Sequence, residues 1–548
     1  MKGSTPLWIL KRIRKRIPAL LLMTAAHVGQ AALGVAFALG TRGVIDAATS
    51  RNSDAFGSAC VLQLAIIIGT LLCTLVFRYL KERLTCELDR DWKQSLLHGL
   101  LRGDYAAVSS YHSGELINRL NNDVRAVDEG ILNTAPNVAA MVTKLLGATA
   151  VLALLDPWFT VLLAAAGLVV IGLTGLLRRQ LKDLNKQVST ADGKVSGFIQ
   201  ETLEKLLMVQ ALDVAPEMER RTDDLLDHRF EMQRKRKNVT IFANTCVNVM
   251  YYGAGFAALI WCAGGLLEGA ITFGTLTAVT QLVNQLQAPL VNLSGILPQY
   301  VAMLSAAERL MELETLASEE PAEADLTGKL ESIQGEDLTF AYDRDTILEK
   351  GHFTLPVGSF AVITGPSGTG KSTLLKLMLG IFHPSGGTLT ATVGGKTVPL
   401  SRATRKLFAY VPQGNLLLSG TLRENLTLVR PHATDDQIRE ALEVSAMTDF
   451  LPALPQGLDT VLGESGAGLS EGQAQRLAIA RAILSGAPVL LLDECTSALD
   501  ADTEEKVLRR IRALPGRTCI AVTHRPAAIT LSDLELQVHD RQLTVKKI

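Results

Sequence analysis

Two things are missing from this sequence: an excess of charge of one sign, and cysteines in pairs. Its 54 lysines and arginines against 55 aspartates and glutamates leave a formal net charge of -1. The overall charge therefore gives no argument for a nucleic-acid partner. The seven cysteines are scattered along the 548 residues without a Cys-x-x-Cys pair. This spacing indicates neither a disulfide framework nor a metal site, and it is typical of reduced cysteines that pack as small apolar side chains.

Charged residues are also few. They make up 20% of the sequence, hydrophobic residues make up 48%, and the mean hydropathy is +0.23. These values are too apolar for a soluble enzyme and too polar for a protein made only of membrane spans. They fit a chain that is half membrane-embedded and half soluble. A chain of this length is too long for one hydrophobic core, so we expect at least two domains.

The apolar residues are concentrated in the first half of the chain. Six segments reach, or come close to, the roughly 20 residues that a helix needs to cross a bilayer. They are 17–40, 59–77, 138–155, 158–177, 247–267 and 273–297. The first and the last carry polar residues, and a buried core helix is the alternative for each. Their alternation with the other four favours six membrane spans.

Basic residues predict the orientation of these spans. Lysines and arginines are concentrated before the first segment and in the two long connections, 78–137 and 178–246. Since such residues favour the cytoplasmic side, we expect both termini and both long connections in the cytoplasm. The sequence thus predicts a multi-pass protein of the cytoplasmic (inner) membrane, in contact with membrane lipid. The long connections have a helical pattern, so the helices should project well beyond the bilayer.

The pattern changes after about residue 316. An acidic stretch at 317–325 predicts a surface linker, and beyond it short β-rich runs alternate with helical ones. This alternation is typical of an α/β domain with parallel strands. The sequence therefore predicts an all-α six-helix transmembrane domain over 1–315, an acidic linker over 316–330 and an α/β domain over 331–548.

The strongest motif begins at Gly365 and reads GPSGTGKS, with Lys371 and Ser372 at its end. It follows an apolar strand and opens a helix, which is the context of a phosphate-binding P-loop. Glycines let backbone N–H groups surround phosphate oxygens, and the helix N-terminus adds favourable partial charge. Lys371 would reach the β- and γ-phosphates, and Ser372 would bind Mg²⁺. A glycine-rich turn with a chance Lys-Ser pair is the alternative, which the flanking strand and helix disfavour.

Two further motifs lie downstream. An apolar strand ends in Asp493 and Glu494, at the position where an open α/β sheet binds its ligands. Asp493 suits a Mg²⁺ contact, and Glu494 suits a general base that polarises the attacking water. Upstream of this strand, Ser470 and Gln473 match a helix capping box, and a capped helix N-terminus is also a phosphate site.

The order of these motifs resembles the nucleotide-binding domain, or cassette, of ATP-binding cassette (ABC) proteins. The letters LSEGQ at 469–473 are similar to the LSGGQ signature that separates this family from other P-loop enzymes, and 497–500 resembles its D-loop. The fold class implied for 331–548 is thus an ABC-type P-loop NTPase. The resemblance implies that ATP is bound by Gly365, Pro366, Ser367, Gly368, Thr369, Gly370, Lys371, Ser372 and Thr373, and by Ser470, Gly472 and Gln473.

The resemblance also implies roles for residues outside the P-loop. Tyr342 would stack on adenine, Gln413 would touch Mg²⁺ and sense the membrane domain, and His524 would contact the γ-phosphate. The residues that it places at Mg²⁺ are Ser372, Gln413 and Asp493. The residues that it places in hydrolysis are Lys371, Gln413, Glu494 and His524.

The membrane half resembles the exporter branch of the family, in which six helices precede the cassette. The stretch 111–119 with Asn122 and Asp123, and the stretch 308–310, are similar to that branch. The resemblance implies half a transporter that pairs with a second chain, with each ATP between the P-loop of one chain and the signature helix of the other. A homodimer is the simplest expectation because the whole hydrolytic set is present. A heterodimer with a degenerate partner is the alternative.

The implied function is ATP-driven export of a lipid, a peptide or an amphipathic small molecule by alternating access. An ATP-gated or regulatory membrane protein, and an importer on the same scaffold, are the alternatives. One residue departs from the family pattern, because Glu471 stands where a glycine is usual. Its carboxylate would either weaken ATP binding or point to solvent at the start of the helix, where it favours the helix dipole. We expect the second.

Polar residues inside the apolar segments are the candidates for the transport pathway. They are Gln281, Asn284, Gln285 and Asn292, at helical spacing in the sixth segment, with Lys144 in the third and His27 and Gln30 in the first. Polar groups are costly in a membrane, so they default to functional or bundle-facing positions. A central cavity is the prediction for the sixth-segment stripe. For each single residue, the alternative is a hydrogen bond between helices, or a side chain that reaches towards the membrane surface. Nothing in the sequence names the cargo.

Overall fold

The computed structural model describes residues 5–316, 326–342, 345–414, 417–454, 456–463 and 468–548. They fall into two compact units. The helical unit has the bounds Met1–His98 and Ser113–Glu314, and the α/β unit has the bounds Gly99–His112 and Thr315–Ile548. The α/β unit therefore includes a short segment from the first long connection of the predicted membrane domain.

Residues 5–314 are helical almost throughout. The helices are α1 (Thr5–Ile13), α2 (Ile17–Thr49), α3 (Ser53–Arg102), α4 (Tyr105–Ser109), α5 (Ser113–Asn118), α6 (Val124–Leu155), α7 (Pro157–Glu204), α8 (Leu206–Ala211), α9 (Ala215–Leu267) and α10 (Phe273–Glu314). Each predicted membrane segment lies in its own long helix, namely α2, α3, α6, α7, α9 and α10. The predicted all-α membrane domain is thus confirmed as a helical architecture.

Length and composition fit helices that cross a membrane and continue beyond it. Among the described residues, the stretches Thr5–Thr49, Ser53–Arg102, Ser113–Leu155 and Ala215–Leu267 are long and apolar enough to span a bilayer. The 50 residues of α3 give a helix about 75 Å long, against about 30 Å for the hydrocarbon core. The segments 158–177 and 273–297 lie in α7 and α10, where several side chains fall outside the described set.

The helical unit packs through small residues and a shared apolar core. Val35, Ala148, Phe159, Ala258 and Leu282 come from five different helices and are all buried in one cluster. A Cβ atom at Gly147 of α6 would lie 3.2 Å from a methyl group of Val35 in α2. Such close approaches are how helices pack when the surrounding lipid is as apolar as their side chains.

A buried ion-pair cluster links the start of α6 to α10. The backbone between α5 and α6 forms a π turn over Arg119–Asp123. Arg309 of α10 donates to both carboxylate oxygens of Asp123, at 2.8 and 2.6 Å. Arg119 donates to Glu312 and to the backbone oxygen of Arg309. The side chains of Arg119 and Asp123 are only 8% and 7% exposed, so these charges are held away from water by mutual pairing.

Two sheets form the frame of the α/β unit. The strands of the first are β3 (Phe360–Thr364), β6 (Phe408–Val411), β9 (Val489–Asp493), β10 (Thr518–Val522), β11 (Leu534–His539) and β12 (Gln542–Lys547). Their order in the sheet is β12-β11-β3-β10-β9-β6, and neighbouring strands run parallel except for β11 and β12, which are antiparallel. The predicted α/β domain with parallel strands is confirmed.

The strands of the second sheet are β1 (Leu330–Tyr342), β2 (Asp345–Pro356), β4 (Gly386–Val393) and β5 (Lys396–Pro399). They are antiparallel and have the order β2-β1-β4-β5. A separate short pair joins β7 (Gly420–Thr421) to β8 (Val461–Leu462). The helices of this unit after α4 are α11 (Lys371–Met378), α12 (Leu422–Thr427), α13 (Asp435–Val444), α14 (Glu471–Leu484), α15 (Ala501–Arg512) and α16 (Pro526–Thr530).

The central strands of the parallel sheet, β3, β9 and β10, are buried on both faces because apolar residues occupy most of their positions. All residues of β3, β9 and β10 are buried. Successive side chains alternate between two cores, as the period of a strand requires. Val362, Leu490 and Ala521 pack in the core that contains α14, whereas Ile363, Leu491 and Ile520 pack in the core that contains α11. The carboxyl ends of β3, β6, β9 and β10 consequently lie along one edge of the sheet.

The segment Gly99–His112 contains α4 and belongs to the α/β unit. Asp104 caps α4 by accepting a hydrogen bond from the backbone nitrogen of Ala107. The Tyr105 ring meets the ring of Phe382 edge-on, with 6.0 Å between the ring centroids. Phe382 also meets Tyr342, at 5.4 Å. Three contacting aromatic rings thus connect this segment to the end of β1.

Candidate nucleotide site

The P-loop turns between β3 and α11 in a conformation that requires glycine. Gly365 and Gly370 have φ values of 147° and 95°. A Cβ atom at Gly365 would lie 2.2 Å from the backbone oxygen of Val538, and one at Gly370 would lie 2.1 Å from a methyl group of Ile347. A side chain at Gly365 would therefore displace the Val538 backbone, and one at Gly370 would displace the Ile347 side chain. The sequence motif forms the strand, loop and helix that were predicted from it.

Lys371 opens α11, and its ammonium group folds back over the loop. It donates to the backbone oxygens of Gly365 and Pro366, at 2.9 and 2.8 Å. The residue is 5% exposed. The Thr369 hydroxyl also donates to the Pro366 oxygen. Ser367 and Gly368, at the tip of the loop, are exposed. The loop thus carries a buried positive charge beside a helix N-terminus, which is an arrangement suited to phosphate.

Ser372 and Asp493 meet at the ends of the P-loop and of β9. The Ser372 hydroxyl donates to one carboxylate oxygen of Asp493 at 2.8 Å. Asp493 is 2% exposed. A hydroxyl and a carboxylate are the hard oxygen ligands that Mg²⁺ prefers, so this pair fits the predicted metal contact.

Tyr410 is a site residue that the sequence patterns did not indicate. Its hydroxyl donates to the second carboxylate oxygen of Asp493 at 3.0 Å. Burial and the neighbouring Asp493 charge raise the pKa of Tyr410 above its ordinary range, so the phenol remains a donor. It lies in β6, beside β9 in the sheet, although the two residues are 83 positions apart. A hydroxyl in an otherwise apolar strand is the one signal that could have pointed to it.

Glu494 lies at the centre of a second cluster. Its side chain accepts a hydrogen bond from the Gln413 amide at 2.8 Å, and the His524 Nε2 atom lies 4.0 Å from its other oxygen. The three residues follow β6, β9 and β10, so adjacent strand ends bring them together. Glu494 has a φ of 48°, a left-handed conformation that costs roughly 1–2 kcal/mol for a residue with a side chain. Such strain is found at functional sites more often than elsewhere.

Tyr342 closes another side of the loop. The residue is 40% exposed, and its hydroxyl lies 3.2 Å from the hydroxyl of Thr373 in α11. The rings of Phe340 and Phe382 hold it edge-on, at 4.9 and 5.4 Å. An aromatic face beside the P-loop helix is suited to stacking on a base.

The signature residues form a capped helix start. Ser470 accepts a hydrogen bond from the backbone nitrogen of Gln473, and the Gln473 side chain accepts one from the backbone nitrogen of Ser470. The predicted capping box at the start of α14 is thus confirmed. Glu471 is exposed in the first turn, as expected for a carboxylate that points to solvent. In the described part of the α/β unit, Ser470, Gly472 and Gln473 make no hydrogen bond to the P-loop.

The polar residues of the predicted membrane segments partly bond to neighbouring helices. Gln285 donates to the backbone oxygen of Gly34 at 2.8 Å, and Asn284 accepts from the Tyr251 hydroxyl at 2.6 Å. His27 contacts Gln30 at 3.2 Å. These contacts fit the alternative of hydrogen bonds between or within helices. The Oε1 atom of Gln281 is buried without a partner among the described residues. The side chain of Asn292 lies outside the described residues.

A P-loop, a buried acid strand end and a capped signature helix, in one chain with long apolar helices, define a membrane-bound P-loop ATPase. Comparisons with known families narrow this class. Residues 20–290 match the family described as the ABC transporter transmembrane region, and residues 348–497 match the family described as ABC transporter. The chain belongs to the ABC transporters, as a half-transporter of the exporter type. It is a multi-pass membrane protein that binds ATP and couples ATP hydrolysis to transport.

Similar proteins of known structure or name agree with this assignment. A bacterial Atm1-family ABC exporter solved with ATP bound is 25% identical, with a TM-score of 0.79, and the match covers 97% of this chain and 94% of that one. The mitochondrial potassium channel ATP-binding subunit of Rattus norvegicus is 28% identical over 85% of this chain and 67% of that protein. The mitochondrial iron-sulfur clusters transporter ATM1 of Debaryomyces hansenii is 34% identical, over 53% of this chain and 44% of that protein.

Proposed function

We propose that this chain forms a homodimer that exports a lipid, a peptide or an amphipathic small molecule by alternating access. The observation that carries this proposal is the convergence of Gln413, Glu494 and His524 at one sheet edge, beside the P-loop of the same chain. A chain with a complete hydrolytic set needs no specialised partner. Both composite sites of a homodimer would therefore hydrolyse ATP. The same complete set disfavours the heterodimer.

Mg²⁺ and ATP bind at the residues predicted from the sequence. Ser372, Asp493 and Gln413 would hold Mg²⁺, whose charge would offset that of the phosphates. Lys371 and the P-loop backbone bind the phosphates, and Tyr342 stacks on the adenine. Glu494 orients and polarises the attacking water, and His524 contacts the γ-phosphate. In support, the Ser372 hydroxyl and the Asp493 carboxylate already lie within hydrogen-bond distance.

The signature residues Ser470, Gly472 and Gln473 serve the ATP of the second chain. Their exposed helix start and their lack of hydrogen bonds to the P-loop of their own chain, within the described residues, support this arrangement. Purified Glu494→Gln protein in Mg²⁺ and ATP should form a stable particle of two identical chains. A particle of one chain, or one that requires a different chain, would contradict the homodimer.

The protein lies in the cytoplasmic membrane with both termini and the nucleotide-binding domain in the cytoplasm. Cys86 provides the test, because it is exposed and lies in the first long connection. In a variant that keeps Cys86 and lacks the other cysteines, a membrane-impermeant maleimide should label inside-out vesicles. Labelling of right-side-out vesicles instead would reverse the orientation.

Stimulation of the ATPase by cargo tests the substrate class. The lipid-reconstituted protein is exposed in turn to lipids, peptides and amphipathic drugs, and uptake into inside-out vesicles is then measured for each stimulating compound. Lys144→Ala should reduce cargo-stimulated ATPase more than the basal rate. Gln285→Ala is the matched comparison, since its hydrogen bond to Gly34 predicts equal loss of both rates. Cargo efflux from the vesicles would indicate an importer.

A second candidate function is an ATP-gated or regulatory role. The Rattus norvegicus relative, which is named as a channel ATP-binding subunit, favours it. Such a protein would share every ATP-site motif, but it would produce ion currents without uphill transport. Current recordings from bilayers that contain the purified protein separate the two candidates.

A further inference from the structure

The D-loop, residues 497–500, lies between β9 and α15 and is held from two sides. Its backbone forms two consecutive turns after β9. The backbone nitrogen of Ser497 donates to the backbone oxygen of Glu494 at 3.2 Å, and that of Leu499 donates to the backbone oxygen of Thr496 at 3.1 Å. Asp500 then caps α15 by accepting from the backbone nitrogen of Thr503. These local bonds leave backbone oxygens of the D-loop available to the two elements that flank it.

Arg525, the residue after His524, binds the D-loop from one side. Its guanidinium group donates to the backbone oxygen of Leu499 at 2.8 Å and to that of Ser497. The same group pairs with Glu504 of α15 at 3.0 Å. Only arginine has several donors in a rigid plane that can reach three acceptors at once; lysine carries a single point charge.

Glu504 is 2% exposed, which is unusual for a carboxylate. Its second oxygen accepts a hydrogen bond from the Thr496 hydroxyl at 2.7 Å. A buried carboxylate that is fully bonded in this way fixes the orientation of the arginine that neutralises it. The position of the Arg525 guanidinium is thus fixed by Glu504 of α15 and by Thr496 in the turn after β9.

Gln475 of α14 binds the D-loop from the other side. Its amide nitrogen donates to the Ser497 hydroxyl and its amide oxygen accepts from the backbone nitrogen of Ala498, both at 3.2 Å. The residue is 6% exposed. Gly472, at the start of the same helix, packs directly on this segment, because a Cβ atom there would lie 2.9 Å from the Ala498 oxygen.

We propose that Arg525 and Gln475 are positioning residues that clamp the D-loop between the His524 strand end and the signature helix. When His524 moves, Arg525 transmits the movement to the D-loop through its hydrogen bonds to Ser497 and Leu499. Gln475 then transmits it from the D-loop to α14. In the dimer, which is the proposed function on which this inference rests, α14 serves the second ATP. The clamp therefore makes hydrolysis at one site depend on the other.

The test measures ATPase rate against ATP concentration for the full-length, lipid-reconstituted protein. For Arg525→Ala and for Gln475→Ala we expect kcat to fall about 10- to 100-fold, because catalytic geometry is lost. Nucleotide binding should change by no more than about twofold, since neither residue touches the P-loop. The Hill coefficient should fall towards one. Arg525→Lys should not restore kcat, because one ammonium cannot replace the planar group.

A double-mutant cycle separates this positioning role from general structural damage. Because both residues act through the same loop, the double variant should be little slower than the slower single variant. Losses that multiply, or a normal kcat in correctly folded single variants, would overturn the proposal. The control is Arg509→Ala, on the exposed face of α15, where Arg509 pairs with the partly exposed Glu505. It should retain the wild-type rate.

Misfolding of a variant and failure of the homodimer proposal can each be distinguished from failure of the clamp. If Arg525→Ala does not fold, Gln475→Ala and Arg525→Lys carry the test, since neither leaves a buried carboxylate without a cation. Failure of the homodimer proposal has a different signature: wild-type hydrolysis would show no cooperativity, and Glu494→Gln would not trap a two-chain particle. Cooperative wild type and a trapped dimer, with unchanged clamp variants, would refute the clamp alone.

Discussion

Replacement of Glu494 by glutamine should stop ATP turnover and leave the fold and ATP-bound closure intact. Removal of a general base typically slows a reaction about 10²- to 10⁴-fold, or about 3–5.5 kcal/mol in the activation free energy. The structure indicates little other damage. A glutamine oxygen can still accept the hydrogen bond from Gln413, and the side chain is already 30% exposed. The left-handed backbone strain at φ 48° is the same for both residues.

Glu494→Gly separates strain from chemistry at this position. Glycine adopts positive φ without the penalty of roughly 1–2 kcal/mol. Its greater conformational freedom in the unfolded chain, however, destabilises the folded state by about 0.5–1 kcal/mol. Thermal unfolding should thus be unchanged or rise by a few degrees, while turnover is lost as in Glu494→Gln. Phosphate release gives the rate, and Glu471→Gln, an exposed carboxylate on α14, is the matched control. Near-normal hydrolysis by Glu494→Gln would refute the assignment of the base.

Three other predictions concern groups with defined surroundings. Tyr410→Phe removes one hydrogen bond to the buried Asp493 carboxylate, so it should lower the free energy of unfolding by about 1.5–3 kcal/mol and weaken Mg²⁺-dependent ATP binding. Calorimetry measures the first effect and nucleotide titration the second. Unchanged values in both would show that Tyr410 does not belong to the site. Burial raises the pKa of Cys495 to about 12 and raises that of Cys519, so maleimide at pH 8 should label exposed Cys86 but neither of these until the protein unfolds. Because these pKa values are raised in the folded state, the thiols contribute full stability below about pH 8.5 and lose it progressively as the pH rises towards 12. Asp123→Asn should destabilise the helical unit by about 2 kcal/mol, which is less than for a fully buried ion pair because Arg309 is 46% exposed. Thermal melting of the purified protein measures this loss. Asp224→Asn, which changes an exposed carboxylate in an ion pair, is the control.

The elements that the sequence predicted well are those specified by local patterns. The P-loop is predicted by its glycines and its Lys-Ser pair between an apolar strand and a helix, and the start of α14 is predicted by Ser470 and Gln473. Contacts between distant parts of the chain could not be predicted in this way. Tyr410 reaches Asp493 because β6 and β9 are neighbours in the sheet, and Gln285 reaches Gly34 because α10 packs on α2. Neither pairing leaves a periodic signal in the sequence.

Backbone strain is equally invisible to sequence patterns. The sequence points to Glu494 through its carboxylate, whereas its positive φ follows from the turn in which its backbone nitrogen donates to the Val522 oxygen. The clamp on the D-loop shows the same limit. Arg525 and Gln475 stand beside predicted residues, but their roles depend on where α15 and the turn after β9 bring Glu504 and Ser497.

The segment Gly99–His112 has a consequence for how the protein is made and divided. The ribosome completes it more than 200 residues before the strands that it joins, so the α/β unit incorporates a piece that was synthesised first. The chain therefore passes between the two units three times, after His98, His112 and Glu314. Proteolysis at the acidic linker would sever only one of these connections. A fragment that starts at residue 326 would also leave Phe382 without the ring of Tyr105, and it should be less soluble than the intact protein.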